Sequence, residues 1–283
     1  MLFENYGQFT GSLKEPEKAK AVLIGVPMDF TASFRPGSRA APQHLRQVSY
    51  GLEEYSPVLN RELAEVEFYD AGDISLPLGN VGEALRRIEE VAVDCFASGK
   101  FPFFIGGEHL ITYPIIRAAV KFFPGLQVIH LDAHADLRDE YLGEKLSHAT
   151  VMRRVKEIMT VTLYQAGIRS GTREEMEYAR RHTVLFPEVS LEAANEIISR
   201  IGDAPVYLTV DIDVLDPAFA PGTGTPEPGG CTVKELFAAL YAFRELNIIG
   251  MDLVEVLPAV DPTERTGLLA AKIVRECLLA YVR

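Results

Sequence analysis

The 283 residues include no tryptophan and only three cysteines. Cys95, Cys231 and Cys277 are far apart and odd in number, a spacing that offers neither a disulfide framework nor a zinc knuckle. Cys95 and Cys277 fall within apolar helical patterns and are expected in the core. No apolar run approaches the length that a transmembrane helix needs. The opening stretch MLFENYGQFT lacks a basic region followed by an apolar one, so it does not read as a signal peptide. A reducing cytoplasm is the expected compartment. Positive charge is also scarce: 28 Lys and Arg stand against 40 Asp and Glu, leaving a net charge of -12. That balance argues against a nucleic-acid or anionic-membrane partner and suits a cationic ligand, although an acidic surface also serves plain solubility.

Short β-rich apolar runs alternate with helical patterns along the chain. Strands are expected at AVLIGVP (from Ala21), VEFYDAG (from Val66), FPFFIGG (from Phe101) and LQVIHLD (from Leu126). Four more are expected at VTLYQAG (from Val161), TVLF (from Thr183), PVYLTVDID (from Pro205) and NIIGMDLVEV (from Asn247). Near-continuous apolar strands are what a parallel sheet covered on both faces requires. Asn80 with Glu83, and Thr232 with Glu235, have the spacing of capping boxes. Ser190 opens a helix that Gly202 closes, and a last helix carries Leu268, Leu269, Ile273, Leu278 and Leu279. The alternation predicts an α/β three-layer sandwich with a mostly parallel sheet of about eight strands flanked by helices. With no repeat, low-complexity segment or linker, residues 1–283 read as one domain.

In open parallel sheets, ligands bind beyond the carboxyl ends of the strands. Three segments place metal-capable residues there. FFIGGEH ends at His109 after two glycines that permit a sharp turn. VIHLDAHAD supplies Asp132, His134 and Asp136, and YLTVDIDVLDP supplies Asp211 and Asp213. Alternation along an extended backbone would direct Asp132 with His134, and Asp211 with Asp213, to one side. A lone His109 could be a turn residue and DID a strand-end cap. Four Asp and two His at the same end of three strands are harder to explain that way. His130, inside its strand, reads as a packed and hydrogen-bonded histidine.

Six ligands exceed what one tetrahedral zinc takes, and oxygen-rich ligation with some imidazole suits a harder ion such as manganese. Four carboxylates balance two divalent ions, and such a pair can generate hydroxide from bound water near neutral pH. GMDLVEVLP leaves Asp252 and Glu255 free of the metals, and a spare carboxylate there suits a guanidinium, or else a structural salt bridge. KLSHAT adds His148, a candidate proton shuttle in a polar loop.

The motifs GGEH, DAHAD, SHAT, DIDVLDPAFAPGTGTPEPGG and DLVEVLP occur in the order and spacing of the ureohydrolase (arginase/agmatinase) family. The sequence resembles that family from RPGSRAAP near Arg35 to the last helix, and most resembles its shorter bacterial agmatinases. The resemblance implies an eight-stranded parallel sheet and two Mn2+ ions per subunit. One ion would take His109, Asp132, Asp136 and Asp211. The other would take Asp132, His134, Asp211 and Asp213, with Asp132 and Asp211 bridging. His148 matches the proton-relay histidine, and Glu255 matches the carboxylate that holds the guanidinium. His148 or Asp136 would move a proton to the leaving group as urea and an amine form. GGEH departs from the Asp that many members carry before the histidine, which bears on the surroundings of the metals rather than on the ligands.

The implied substrate is a small cationic guanidino compound, with agmatine, giving putrescine and urea, favoured over arginine. The loop LRDEYLGEKLSHAT carries Asp139, Glu140 and Glu144, which would repel a carboxylate and attract a free amine, although Arg138 could meet a carboxylate. N1-aminopropylagmatine and other guanidino compounds stay open as alternatives. A deacetylase-like zinc amidohydrolase and an inactive metal-binding protein are the competing readings, disfavoured by the full ligand set and Glu255. The resemblance further implies a homo-oligomer, a trimer or hexamer.

Overall fold

The computed structural model describes residues 3–4, 7–158 and 160–283. Residues 1, 2, 5 and 6 of the opening stretch therefore lie outside the described residues. The strands are β1 (Phe3–Glu4), β2 (Ala21–Val26), β3 (Tyr55–Ser56), β4 (Arg61–Glu62), β5 (Phe68–Ile74), β6 (Phe101–Gly106), β7 (Gln127–Leu131), β8 (Thr162–Ala166), β9 (Val184–Phe186), β10 (Pro205–Asp211) and β11 (Asn247–Val254). The helices are α1 (Ala41–Ser49), α2 (Val81–Ala97), α3 (Thr112–Ala119), α4 (Val151–Lys156), α5 (Arg173–His182), α6 (Leu191–Ile201), α7 (Val233–Ala242) and α8 (Arg265–Tyr281).

All eight expected strands are present, in one sheet of order β1-β5-β2-β6-β11-β10-β7-β8-β9. Every pairing in it is parallel except β1 with β5. The ninth strand, β1, has two residues, and β3 with β4 forms a separate antiparallel pair. Both are too short to leave a period-2 signal in the sequence.

The sheet is apolar on both faces because successive side chains point to opposite sides. In β6, Phe103 and Ile105 join one core and Phe104 the other; in β10, Val206, Leu208 and Val210 oppose Tyr207. The first core takes its helical residues from α1, α6, α7 and α8, the second from α2, α3, α4 and α5. That is the expected three-layer arrangement. Cys95 and Cys277 are buried, and all three cysteines are free. Leu268, expected on the apolar face of α8, is exposed. No helix among the described residues is long and apolar enough to cross a membrane.

The caps follow the sequence with one difference. Thr232 and Glu235 form a reciprocal box, and Ser190 caps α6 by accepting from the Ala193 N–H. At α2, Asn80 accepts from the Glu83 N–H, but the Glu83 carboxylate turns to Arg86 and Arg87 instead of returning to the cap. A guanidinium offers a stronger, charge-assisted bond than a neutral amide.

Candidate active site and metal centre

The four central strands β6, β11, β10 and β7 are contiguous, and each ends in site residues. After β6 the chain passes Gly106 and Gly107 into a tight turn that starts at His109. Neither glycine has a positive φ, so a sharp left-handed turn is not what they provide. A Cβ on Gly107 would stand 1.7 Å from the Met28 carbonyl oxygen, which also accepts the Glu108 N–H at 2.7 Å. The glycine permits this close backbone approach. Beyond β10 the chain does not stay extended as the alternation implied. Ile212–Val214 turns as a short 3-10 segment, and the Asp213 N–H donates to Asp211 Oδ1 at 2.9 Å. Asp211 and Asp213 thus converge by a turn rather than by strand alternation.

All six sequence-predicted ligands are gathered in one place. His109 Nδ1 stands 3.1 Å from Asp132 Oδ2, 3.2 Å from Asp211 Oδ2 and 3.5 Å from Asp136 Oδ2. His134 Nδ1 stands 3.0 Å from Asp213 Oδ2 and 3.6 Å from Asp132 Oδ1. Asp132 belongs to both groups, as a bridging residue must. Asp136 has a φ of 54°, which is rare for a residue with a side chain. Its carbonyl accepts the Met152 and Arg153 N–H groups at the start of α4, which holds that strained backbone in place.

The charges call for a cation. Asp132, Asp136, Asp211 and Asp213 are all buried. Burial and then the neighbouring Asp132 charge push Asp136 well above the usual carboxylate range. Burial, then Asp213 and Asp132, do the same to Asp211. Uncompensated carboxylates at this density cost several kcal/mol each. His109 Nδ1 is buried and makes no hydrogen bond, although three carboxylates face it. A buried nitrogen without a bond, turned toward acceptors, suits a shared cation and is otherwise unfavourable.

The tautomer of His109 supports the same reading. Thr209 Oγ1 donates its one proton to Asp252 Oδ1 at 2.5 Å, so at 2.9 Å it must accept from His109 Nε2–H. That leaves Nδ1 with its lone pair. Asp252, one of the two carboxylates left free by the sequence, is fully buried and also accepts from Thr112 and Tyr207. It orients a ligand and does not face the cavity. His130 has both nitrogens engaged: Gln165 Nε2 donates to Nδ1 at 3.0 Å, and Nε2 stands 2.7 Å from Asp132 Oδ2. It is the packed, hydrogen-bonded histidine expected from the sequence. Neither Thr209 nor Gln165 carried a sequence signal, because both lie inside apolar strands.

A cavity of about 320 Å³ opens over the cluster, with His148 and Glu255 in its wall. Glu255 has a φ of 62° and accepts the His109 N–H through Oε1 at 2.7 Å. Burial, followed by the charge of Glu108, pushes it up to about 8. Burial likewise pushes Glu108 up to about 7. Two such carboxyls create a local demand for positive charge. Burial draws His148 down to about 4, which leaves its ring neutral near pH 7.

The loop acids do not play the part expected of them. Asp139, Glu140 and Glu144 are exposed and absent from the cavity wall, and Asp139 pairs with Arg154 at 2.7 Å. The wall carries Arg138, Tyr141 and Glu175 instead. Glu175 is the buried acid of the capping box that starts α5, and its Oε2 lies 3.4 Å from Arg138 Nε. The Thr172-x-x-Glu175 spacing is not among the caps read from the sequence, and a cap alone does not say that the carboxylate also faces a cavity.

The family model described as "Arginase family" matches residues 19–280. The agmatinase of Bacillus subtilis is 50% identical over 279 residues, covering 97% of this chain and 96% of its own length. The solved agmatine ureohydrolase of Thermoplasma volcanium is 31% identical with a TM-score of 0.88, covering 96% of this chain and 93% of its own. The proclavaminate amidino hydrolase of Streptomyces clavuligerus is 32% identical with a TM-score of 0.90, covering 99% and 98% respectively.

Proposed function

The chain belongs to the arginase family, and from that premise we propose that it is a manganese-dependent hydrolase that converts agmatine to putrescine and urea. The observation that carries the chemistry is the buried four-Asp, two-His cluster with Glu255 beside it. His109, Asp132, Asp136 and Asp211 would hold one ion, and Asp132, His134, Asp211 and Asp213 the other. Two divalent ions held there supply ionised water near neutral pH. Glu255 keeps Oε1 on the His109 N–H and has Oε2 left for the guanidinium. His148, neutral near pH 7, would take a proton through Nε2 from the attacking water and pass it to the departing amine nitrogen. In the cavity wall, the Glu175 carboxylate would favour a free amine over a carboxylate.

Arg138 favours a second reading, in which the substrate is a guanidino acid whose carboxylate meets that guanidinium. N1-aminopropylagmatine, a longer amine with the same guanidino group, is the third candidate. The deciding experiment is urea release over agmatine, aminopropylagmatine, arginine and guanidinobutyrate, and formamide release from formiminoglutamate, with metal analysis of the active protein. Equal or higher kcat/KM for arginine or guanidinobutyrate overturns agmatine, and one zinc with no second ion overturns the manganese pair.

We further read residues 1–283 as one domain, supported by the continuous sheet, and the protein as a cytoplasmic homo-oligomer, a trimer or hexamer. Free cysteines are in keeping with a reducing compartment. Phe34, Leu78 and Leu142 are large exposed apolar side chains of the sort that subunit contacts cover. Sedimentation analysis tests the assembly, and a monomer at micromolar concentration overturns it.

A further inference from the structure

Glu108, the residue before His109 in GGEH, is 1% exposed. Its Oε2 accepts two hydrogens from Thr31, the N–H at 2.7 Å and the hydroxyl at 2.9 Å. Thr31 Oγ1 in turn accepts the His148 N–H at 3.0 Å and stands 3.3 Å from His148 Nδ1. A threonine hydroxyl has one proton. Glu108 Oε2 takes it at the shorter distance, and it remains an acceptor whether or not Oε1 is protonated. Toward the ring, Thr31 Oγ1 is left with lone pairs only, so Nδ1 must carry the hydrogen. The other ring nitrogen, Nε2, faces Ser33 Oγ at 3.2 Å, and both Ser33 and His148 line the cavity.

From this geometry we propose that Glu108 and Thr31 are positioning residues that hold His148 as its Nδ1–H tautomer, with the Nε2 lone pair toward the substrate. This rests on the reading of His148 as the proton carrier. Thr209, between Asp252 and His109, is the same device turned on a metal ligand. A carboxylate fixes a threonine hydroxyl, and the hydroxyl fixes an imidazole. At the metal ligand it bares Nδ1; at His148 it bares Nε2. Tyr141, edge-on to the His148 ring at 5.7 Å between centroids, limits its rotation.

Thr31→Val keeps the shape and removes the hydroxyl, whereas Thr31→Ser keeps the hydroxyl. In the manganese-loaded protein with agmatine, Thr31→Val should lower kcat about 10- to 100-fold, part of the usual contribution of a proton-transfer residue, with KM within about 3-fold. Thr31→Ser should stay within about 3-fold of the parent in both constants. Manganese content and Tm should match the parent in both variants. Protein with 15N-labelled histidine, loaded with diamagnetic zinc, reads the tautomer directly, the signal being assigned by its loss in His148→Asn. The parent and Thr31→Ser should show Nδ1 protonated and Nε2 bare, and Thr31→Val a mixture. The proposal is overturned by an Nε2–H tautomer in the parent, by an unchanged tautomer in Thr31→Val, or by a kcat loss that tracks manganese content or Tm. If no guanidino compound yields urea, the functional reading fails, and the nitrogen signals alone decide the tautomer.

Discussion

Removing one charge without changing shape is the sharpest probe at the residue scale, and Glu255→Gln does that. Loss of a desolvated charged hydrogen-bond pair costs about 2–5 kcal/mol, roughly 30- to several-thousand-fold in kcat/KM. Manganese stoichiometry should not change, because all six ligands remain. A purely structural salt bridge would instead lower Tm and leave kinetics near normal, so both are measured on one preparation. The loop acids give a contrasting pair. Asp139→Asn and Glu144→Gln should alter kcat/KM for agmatine by no more than about 2-fold, since exposed charges contribute little. Glu175→Gln, which keeps a hydrogen-bond acceptor for the α5 cap, should raise KM for agmatine about 10-fold, or about 1.4 kcal/mol. A larger effect from the loop than from Glu175 would restore the importance of the loop.

Among the elements, α8 depends on a residue outside it. Its first helical residue follows Glu264, which has a φ of 57° and gives no side-chain cap. Asp261 supplies the cap from upstream, accepting the Thr266 N–H at 2.9 Å, the Thr266 hydroxyl at 2.6 Å and the Thr263 N–H at 3.1 Å. Although burial works to raise it, these bonds hold the Asp261 carboxyl down at about 2. Asp261→Ala should destabilise the protein by about 1–3 kcal/mol at pH 7, measured by denaturant unfolding. A depressed carboxyl stabilises above its ordinary value near 4 and loses that contribution as pH falls through about 2. The gap between parent and variant should therefore be constant from pH 7 to about 5 and narrow below about 4. A gap that widens on acidification would show that Asp261 acts in its neutral form. On the same side of the sheet, Arg46 of α1 is buried against Asp70 and Asp73 of β5. It pins the helix to the strand.

The whole molecule should register the metals in its stability, because the four carboxylates they would neutralise end two of the four central strands. Ions that bind only the folded chain stabilise it by mass action, by about 2.7 kcal/mol at 100 times the dissociation constant. For a chain of this size that corresponds to roughly 5–10 °C. Chelation should lower Tm by at least that amount, and manganese should restore it together with urea release. An unchanged Tm after verified metal loss would mean that the cluster folds around protons alone.

The sequence by itself determined the layers and the eight parallel strands, and it marked the six candidate ligand positions that the structure gathers. Apolar runs, cap spacing and metal-capable side chains at strand ends are local signals that survive in one dimension. His109, Asp132 and Asp211 were legible because each lies at the carboxyl end of its own strand. Only the tertiary structure decided that β6, β11, β10 and β7 lie side by side, since strand order is a matter of how crossovers pack and leaves no mark on any single segment. It also decided which carboxylates face the cavity. Asp139, Glu140 and Glu144 bear the same carboxyl group as Glu175, yet the loop turns them outward while α5 brings Glu175 in. The Glu108–Thr31–His148 chain joins residues 77 and 117 positions apart. Its meaning depends on which oxygen accepts which proton, a property of three side chains meeting in space.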